Sequence, residues 1–402
     1  MRWSKPSVAT VQLDGVVAPI WLERWRNHWF GLRNRLLASP LLQRRAAAFL
    51  LTRPIARRRA RGLFDLVAGF VYSQVLLASV RLNLFDILAE GPQTAELLAQ
   101  RIGLSPQATQ RLLAAGVALQ LFERCPQNRY GLGVLGAPLV GNTALTAMIQ
   151  HHSALYADLS DPVALLRGQG KSAHLASYWP YAKSAGSAIS ACTQSVESLQ
   201  DSQVAAYSQL MSASQPLVAH EILDAYPMSK HRCLLDIGGG EGTFLLQAAH
   251  RAPGLKLMLF DLPAVAERGA VNFAAAGLTD RATATGGDFH KDALPAGADI
   301  ATLVRVLHDH NDAQVVALLA SVRSALLPGG TLLVAEPMAD TQGAKSMGDA
   351  YFGFYLLAMG SGQPRTSARL TELLQAAGFH QIRLLATHMP LQTQVLLAKA
   401  KH

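Results

Sequence analysis

The sequence predicts an α/β protein in which a mainly helical front part precedes a doubly wound, mainly parallel sheet with an antiparallel last strand. In the second half, apolar strand patterns alternate with helical patterns, as a sheet covered by helices requires. Only about six residues separate the last two strand patterns, too few for a crossover helix, so these strands must be antiparallel. The predicted strands lie at about 233–237, 256–260, 282–286, 299–304, 331–335, 381–386 and 393–399, with helical patterns between the first six.

Length and composition set the number of domains. A chain of 402 residues exceeds the size at which one core keeps growing, so we expect an arm at 1–62, a helical domain at 63–215 and a sheet domain at 216–402. Three widely spaced cysteines indicate neither a disulfide framework nor a metal site, and they fit a reducing cytoplasm. The longest uncharged window near the N-terminus, Leu66 to Val80, has 15 residues, fewer than a membrane span needs.

Positive charge is concentrated in the arm. Residues 1–62 contain thirteen Lys and Arg against two acidic residues, a net of +11, which leaves −2 for the other 340. Four of the five tryptophans lie there too, interleaved with arginines: Trp3, Trp21, Trp25 and Trp29. Trp and Arg together are typical of segments at an anionic lipid surface, which predicts a peripheral position on the inner membrane. A solvated arm, a dimer-packing arm and a polyanion-binding arm are the alternatives.

The helical domain contains a winged-helix pattern. Ser105 and Pro106 are an N-cap and a first-turn proline that open an apolar-periodic helix. Strand patterns at 121–124 and 129–132 then predict a small β-hairpin wing. The helix begins with only three polar side chains suited to reading DNA: Gln107, Gln110 and Arg111. Because phosphate contacts by cations supply most DNA affinity, no nucleic acid is expected, and protein interaction is favoured.

A glycine-rich turn after the first strand of the sheet predicts a ligand site. An apolar strand runs into Gly238, Gly239 and Gly240, where glycine permits positive φ and close approach of a ligand to the main chain. The helix that follows directs its first N–H groups into the same crevice. Asp261 ends the next strand, where a carboxylate can accept both ribose hydroxyls. The two strand ends together predict S-adenosylmethionine as the ligand.

Two alternatives account for part of this motif. A nicotinamide dinucleotide site requires Gly-x-Gly-x-x-Gly, with its third glycine one turn into the helix. Thr243 occupies the position three after Gly240, so that pattern is not met. A tight glycine turn that binds no ligand is the simpler interpretation.

Five motifs follow one another in the order and spacing of a known family. They are Asp236 to Gly242, Phe260 to Pro263, Gly286 to Phe289, Val306 to Asp309 and Leu333 to Glu336. Over its last 170 residues the chain resembles the family of plant caffeate-type and acetylserotonin O-methyltransferases, and its front domain resembles their dimerisation domain. The resemblance implies a class I methyltransferase, Rossmann-like sheet with an antiparallel last strand, a winged-helix-like dimerisation domain and a homodimer.

A second resemblance covers nearly the whole chain. The segments 64–74, 151–159, 178–181 and 308–310 are similar to those of the carotenoid hydroxyl O-methyltransferases of phototrophic bacteria. That family acts on demethylspheroidene and hydroxyneurosporene. The resemblance therefore implies O-methylation of a tertiary hydroxyl group on an acyclic carotenoid, with S-adenosylmethionine as the methyl donor.

The resemblance implies a role for each matching site residue. His308 matches the general base and Glu336 the carboxylate that orients it, while Asp309 follows the base directly and is counted with the catalytic residues. The cofactor would be held by Asp236, Gly238, Gly239, Gly240, Asp261, Leu262, Asp288, Phe289 and Arg305. The substrate pocket would be lined by Tyr72, Tyr156, Phe352, Tyr355 and Met359, although packing alone also explains these five. A core-edge histidine without chemistry is the alternative for the base.

The chain departs from the plant enzymes at two positions. Those enzymes carry a second glutamate just before an Arg-Thr pair, where this chain has Gln363 and Pro364. The usual clamp of two carboxylates is therefore incomplete. Val304 replaces a lysine near the cofactor, and Arg305 follows it, which leaves the role of Arg305 open.

Three functions remain open at the level of sequence. The favoured one is a carotenoid O-methyltransferase dependent on S-adenosylmethionine. A methyltransferase of the same fold could instead act on a tetrapyrrole or an aromatic polyketide. A non-enzymatic winged-helix regulator is disfavoured by its poor recognition helix and by the intact pair of His308 and Glu336.

Overall fold

The computed structural model describes residues 20–169, 174–175 and 215–401. Trp3 and nearly all of the interdomain segment 171–203 lie outside these residues. The described chain falls into two compact units that adjoin in sequence at Val75 and Leu76. The domain boundaries expected near residues 62 and 215 stay predictions.

The first unit is helical. Its elements are α1 (Ile20–Ala38), α2 (Pro40–Ala48) and the larger part of α3 (Arg53–Arg81). Ser39 caps α2, because its hydroxyl accepts a hydrogen bond from the Leu42 N–H at 3.4 Å. Within the described residues, α3 is the one helix long and apolar enough to cross a membrane by length and composition, with 17% of its apolar window buried. The shorter uncharged window considered in the sequence did not indicate this.

The second unit begins with helices and a small sheet that match the predicted winged-helix pattern. The helices are α4 (Leu84–Ala89), α5 (Ala95–Ile102), α6 (Pro106–Ala118), α7 (Thr143–Asp158) and α8 (Pro162–Leu166). The strands β1 (Gln93–Thr94), β2 (Phe122–Cys125) and β3 (Arg129–Leu132) form an antiparallel sheet in the order β1-β3-β2. Ser105 caps α6 as predicted, with its hydroxyl accepting from the Ala108 N–H at 3.2 Å.

A seven-stranded sheet forms the rest of the second unit. Its strands are β4 (Cys233–Ile237), β5 (Lys256–Asp261), β6 (Ala282–Gly286), β7 (Ala298–Val304), β8 (Leu326–Glu336), β9 (Phe379–Leu385) and β10 (Gln394–Ala400). They lie in the order β6-β5-β4-β7-β8-β10-β9. The first five pair in parallel, whereas β10 is antiparallel to both β8 and β9. The predicted antiparallel last strand is confirmed.

Helices cover the sheet, with one correction to the sequence prediction. They are α9 (Thr243–Arg251), α10 (Pro263–Ala275), α11 (Asp312–Ala325), α12 (Phe352–Met359), α13 (Ser367–Ala376) and a helical stretch at 215–225. The helical pattern predicted between β6 and β7 is wrong, because residues 287–297 form turns and loop. There the Asp288 carboxylate accepts the His290 N–H at 2.9 Å, a local bond that competes with helix formation.

The core explains where the site lies. On β4, Leu235 and Ile237 belong to one buried cluster and Leu234 to another, so both faces of the sheet are covered. Because β4 lies between β5 and β7, the strand order reverses beside it. The carboxyl ends of parallel strands at such a reversal form a crevice in which ligands bind.

Candidate active site

The turn after β4 has the backbone conformation that its glycines predict. Gly238, Gly240 and Gly242 have φ values of 66°, 60° and 81°, in the left-handed region. The Gly238 N–H donates to the carbonyl of Phe260 at 2.8 Å, which ties the turn to β5. A side chain on Gly239 would clash with the Asp236 carboxylate. Main chain is therefore exposed to the crevice where any larger residue would fill it.

Two buried carboxylates support this turn. Asp261 accepts the Gly240 N–H on Oδ2 and the Leu262 N–H on Oδ1, both at 2.7 Å. Asp236 accepts the Thr302 hydroxyl on Oδ1 at 2.6 Å, and burial raises its pKa to about 7. Its Oδ2 is buried and has no hydrogen-bond partner among the described residues. A glycine cradle beside an unpaired carboxylate oxygen fits a cofactor that carries amino and hydroxyl groups.

The segment predicted to face adenine is a cluster of rings. Phe289 is 4% exposed, and its ring centroid lies 4.6 Å from that of His290 and 5.4 Å from that of His310. Burial lowers the pKa of His310 to about 3, so this imidazole is neutral. Asp288 pairs with Lys291 at 2.8 Å and shapes the loop. The two histidines were not identified as site residues from the sequence.

His308 lies between two carboxylates. It belongs to a 3₁₀ turn, Leu307–Asp309, directly after β7. Its Nε2 is 3.2 Å from Asp309 Oδ1, and its Nδ1 is 3.7 Å from Glu336 Oε1, which also accepts the His308 backbone N–H at 3.0 Å. All three side chains are buried. Asp309 thus supplies a second carboxylate to the histidine in a chain that lacks the second glutamate of the plant enzymes.

The two carboxylates control the charge of the imidazole. Burial by itself lowers the pKa of His308, but Asp309 and then Glu336 outweigh it and raise the pKa to about 10. Burial in turn raises the pKa of Asp309. The cofactor-free site therefore favours the imidazolium form. A cation bound beside the ring would lower its pKa and favour the neutral form that a base requires.

Arg365 fixes the turn that carries the histidine. The guanidinium is buried and donates to the carbonyls of Leu307 at 2.8 Å and His310 at 2.6 Å. Its Nε pairs with Asp312 at 2.8 Å. In the sequence, Arg365 served only to locate the missing glutamate, and its positioning role was not recognised.

Aromatic side chains flank the other face of the histidine. The Phe352 ring centroid is 6.1 Å from that of His308. Beyond it, the Tyr355 hydroxyl bonds His151 Nε2 at 3.0 Å and the Tyr351 hydroxyl bonds His152 Nε2 at 2.9 Å. Burial lowers the pKa of His151 to about 4 and raises the pKa of both phenols, so all of these groups except His152 are shown to be neutral near pH 7.

The remaining predicted site residues occupy defined positions. Tyr156 packs on His152, with ring centroids 6.0 Å apart, and Met359 is buried in the cluster that includes Leu155. Arg305 has a φ of 57° and bonds Gln215, a contact that the sequence did not reveal. Tyr72 lies in the first unit, and its place in the substrate pocket stays a prediction. No group of three or more metal-binding side chains occurs among the described residues.

Comparison with known proteins defines the class of this site. A family model for an O-methyltransferase domain matches residues 156–380, and one for an O-methyltransferase dimerisation domain matches residues 64–148. The chain belongs to this O-methyltransferase family and is an enzyme that depends on S-adenosylmethionine. Family membership decides between the enzyme and the winged-helix regulator in favour of the enzyme.

Particular relatives narrow the comparison. The chain is similar to demethylspheroidene O-methyltransferase of Cereibacter sphaeroides, with 44% identity over 87% of this chain and 89% of the relative. The protein of the same name from Rhodobacter capsulatus is 38% identical over 86% of this chain and 83% of the relative. The solved structure of human N-acetylserotonin methyltransferase in complex with S-adenosylmethionine superimposes with a TM-score of 0.68 and 25% identity, covering 86% of this chain and 98% of that one.

Proposed function

We propose that this enzyme methylates the tertiary hydroxyl group of an acyclic carotenoid of the demethylspheroidene or hydroxyneurosporene type. The similarity to two bacterial enzymes named for demethylspheroidene supports this acceptor. The structural observation that carries the proposal is the aromatic region beside His308. There the Tyr351 and Tyr355 hydroxyl groups are hydrogen-bonded to histidine nitrogens of α7.

Paired polar groups suit a hydrocarbon ligand. An unpaired buried hydroxyl costs about 1–3 kcal/mol when an apolar ligand covers it, whereas a hydroxyl with a protein partner avoids that cost. Phe352 and Met359 add apolar surface on the same helix. A long polyene with one terminal hydroxyl group matches this composition, with the hydroxyl as the single polar group to reach His308.

The acceptor chemistry assigns a task to each catalytic side chain. An aliphatic alcohol is about as weakly acidic as water, with a pKa of roughly 16, so an imidazole cannot ionise it in advance. S-adenosylmethionine supplies an electrophilic methyl group on a positively charged sulfur. The proton must leave the oxygen as the O–C bond forms, and His308 takes it while Asp309 and Glu336 balance the imidazolium charge. Holding the reacting atoms in line can supply about 7 kcal/mol or more.

The assembly and location follow from the same proposal. The match of residues 64–148 to a dimerisation domain supports a homodimer. A carotenoid resides in the bilayer, so we propose that the enzyme works in the cytoplasm at the surface of the inner membrane. Both statements extend the family assignment to this chain.

A panel of acceptors tests the proposed substrate. Purified enzyme is incubated with methyl-labelled S-adenosylmethionine and with detergent-solubilised hydroxycarotenoids, phenols or porphyrins. We expect label in a methoxy group on the tertiary hydroxycarotenoid, and none when the hydroxyl is absent. Preferential labelling of a phenol or a porphyrin would contradict the carotenoid assignment while leaving the O-methyltransferase class intact.

A further inference from the structure

One face of α1 is an exposed aromatic and aliphatic stripe. Trp21, Trp25 and Trp29 are 68%, 64% and 54% exposed, and Leu32 and Leu36 continue the series at 47% and 46%. Steps of three or four residues keep these side chains on one side of a helix that advances about 100° per residue. The rings of Trp25 and Trp29 are stacked with centroids 6.4 Å apart. The stripe extends over about 22 Å at 1.5 Å per residue.

Arginines border this stripe on both sides. The same helical advance places Arg24 and Arg35 along one edge and Arg26 and Arg33 along the other. Residues 20–62 contain eleven arginines and a single acidic residue, Glu23. None of these arginines forms an ion pair with a described residue, so neutralisation by acidic groups of the same chain is not seen in that part of the protein.

The stripe lies outside the segment that the family uses for dimerisation. The dimerisation model begins at residue 64, after the end of α1 and α2. Apolar exposure is also concentrated in this region, because nineteen of the thirty-three exposed large apolar side chains in the described chain lie between Trp21 and Val71. Unpaired cations beside tryptophans complement a surface that is anionic outside and apolar beneath.

We propose that α1 lies in the headgroup layer of an anionic phospholipid bilayer, with the stripe from Trp21 to Leu36 facing the acyl chains and the bordering arginines on the phosphates. An amphipathic helix with aromatic rings on one side and Arg beside them has the composition of an interfacial helix. The long apolar stems of Arg allow the guanidinium groups to reach upward to phosphate. Only the purpose of this contact, collecting a bilayer-resident acceptor, rests on the proposed function.

Vesicle binding tests the proposal without any acceptor. The full chain is sedimented with vesicles of phosphatidylcholine alone or of phosphatidylcholine with phosphatidylglycerol, at low and high salt. We expect binding to the anionic vesicles that weakens as salt rises. Replacing Arg24, Arg26, Arg33 and Arg35 by Gln should weaken binding about fivefold per arginine at low salt. Replacing the three tryptophans of α1 by Ser should weaken it about tenfold or more.

Matched controls and a readout on the unaltered protein complete the test. Val271→Ser and Arg383→Gln remove an exposed apolar side chain and an exposed cation from the sheet domain, and both should bind vesicles like wild type. Four of the five tryptophans belong to the first 29 residues, so brominated lipid should quench most of the wild-type emission.

Two results would overturn the proposal. Equal vesicle binding by wild type and both arm variants would do so, and a lower oligomeric mass of the tryptophan variant would then assign the stripe to a second copy of the chain. Emission that brominated lipid leaves unchanged would also do so, whatever the folding of the variants. Neither result depends on which acceptor is methylated, so failure here is distinct from failure of the proposed function.

Discussion

Replacing Asp309 by Asn should lower the pKa of His308 substantially. The substitution keeps the size of the side chain but removes the negative charge that lies 3.2 Å from Nε2. Glu336 remains, with its oxygen 3.7 Å from Nδ1. The imidazolium then has one carboxylate instead of two to oppose the effect of burial.

The distances set the size of the change. At 3.2 Å and an effective dielectric constant of about 20, a pair of unit charges interacts by about 5 kcal/mol. One pKa unit corresponds to about 1.4 kcal/mol, so loss of that attraction, partly offset by side-chain relaxation, should lower the pKa by about two units or more. From a starting value of about 10, the pKa of His308 should fall to about 8 or below.

Titration of the imidazole by NMR measures this directly in the cofactor-free enzyme. The chain has thirteen histidines, and the signal of His308 is identified by its absence from His308→Gln. Asp224→Asn removes a carboxylate that pairs with Arg251 at the surface and should leave the titration unchanged. A His308 pKa that stays within half a unit of wild type in Asp309→Asn would refute the assignment of Asp309 as the second carboxylate.

Three further predictions concern other parts of the site. Asp261→Ala should weaken S-adenosylmethionine binding about tenfold or more by calorimetry, since it removes both the ribose acceptor and the acceptor for the Gly240 N–H; unchanged affinity would contradict it. Tyr355→Phe leaves His151 Nε2 without this donor and should lower the free energy of unfolding by about 1–3 kcal/mol in denaturant titrations, whereas a neutral effect would show that the pair is dispensable. Because the folded-state pKa of His308 is raised to about 10, its stabilising charge is fully present below the unfolded pKa of about 6.5 and is lost as pH rises to about 10; the thermal stability advantage of wild type over His308→Gln should shrink across that window, and a constant difference would argue against a charged imidazole.

Local patterns in the sequence were sufficient to predict the sheet and the ends of its strands. The glycine run after β4 and the short connection before β10 report on backbone geometry within a few residues, which a sequence displays directly. The match of His308 and Glu336 was found because both follow parallel strands and so reach the same edge of the sheet.

Contacts between distant segments were not predictable in the same way. His151 and Tyr355 are 204 positions apart, and neither side chain indicates the other. The role of Asp309 depends on the 3₁₀ turn that directs its carboxylate back to the preceding imidazole. The loop at 287–297 carries an apolar pattern typical of a helix, but a local bond from Asp288 and the glycine at its end give turns instead.

The central claim is that His308 accepts a proton from a carotenoid hydroxyl while S-adenosylmethionine donates a methyl group. Its most direct test is the rate of methoxy formation on a detergent-solubilised tertiary hydroxycarotenoid by wild type and His308→Gln, with cofactor affinity measured in parallel. We predict a rate lowered by about 10² to 10⁴ with cofactor affinity nearly unchanged. A variant that retains more than about a third of the wild-type rate, well outside the range expected for loss of a general base, would contradict the account.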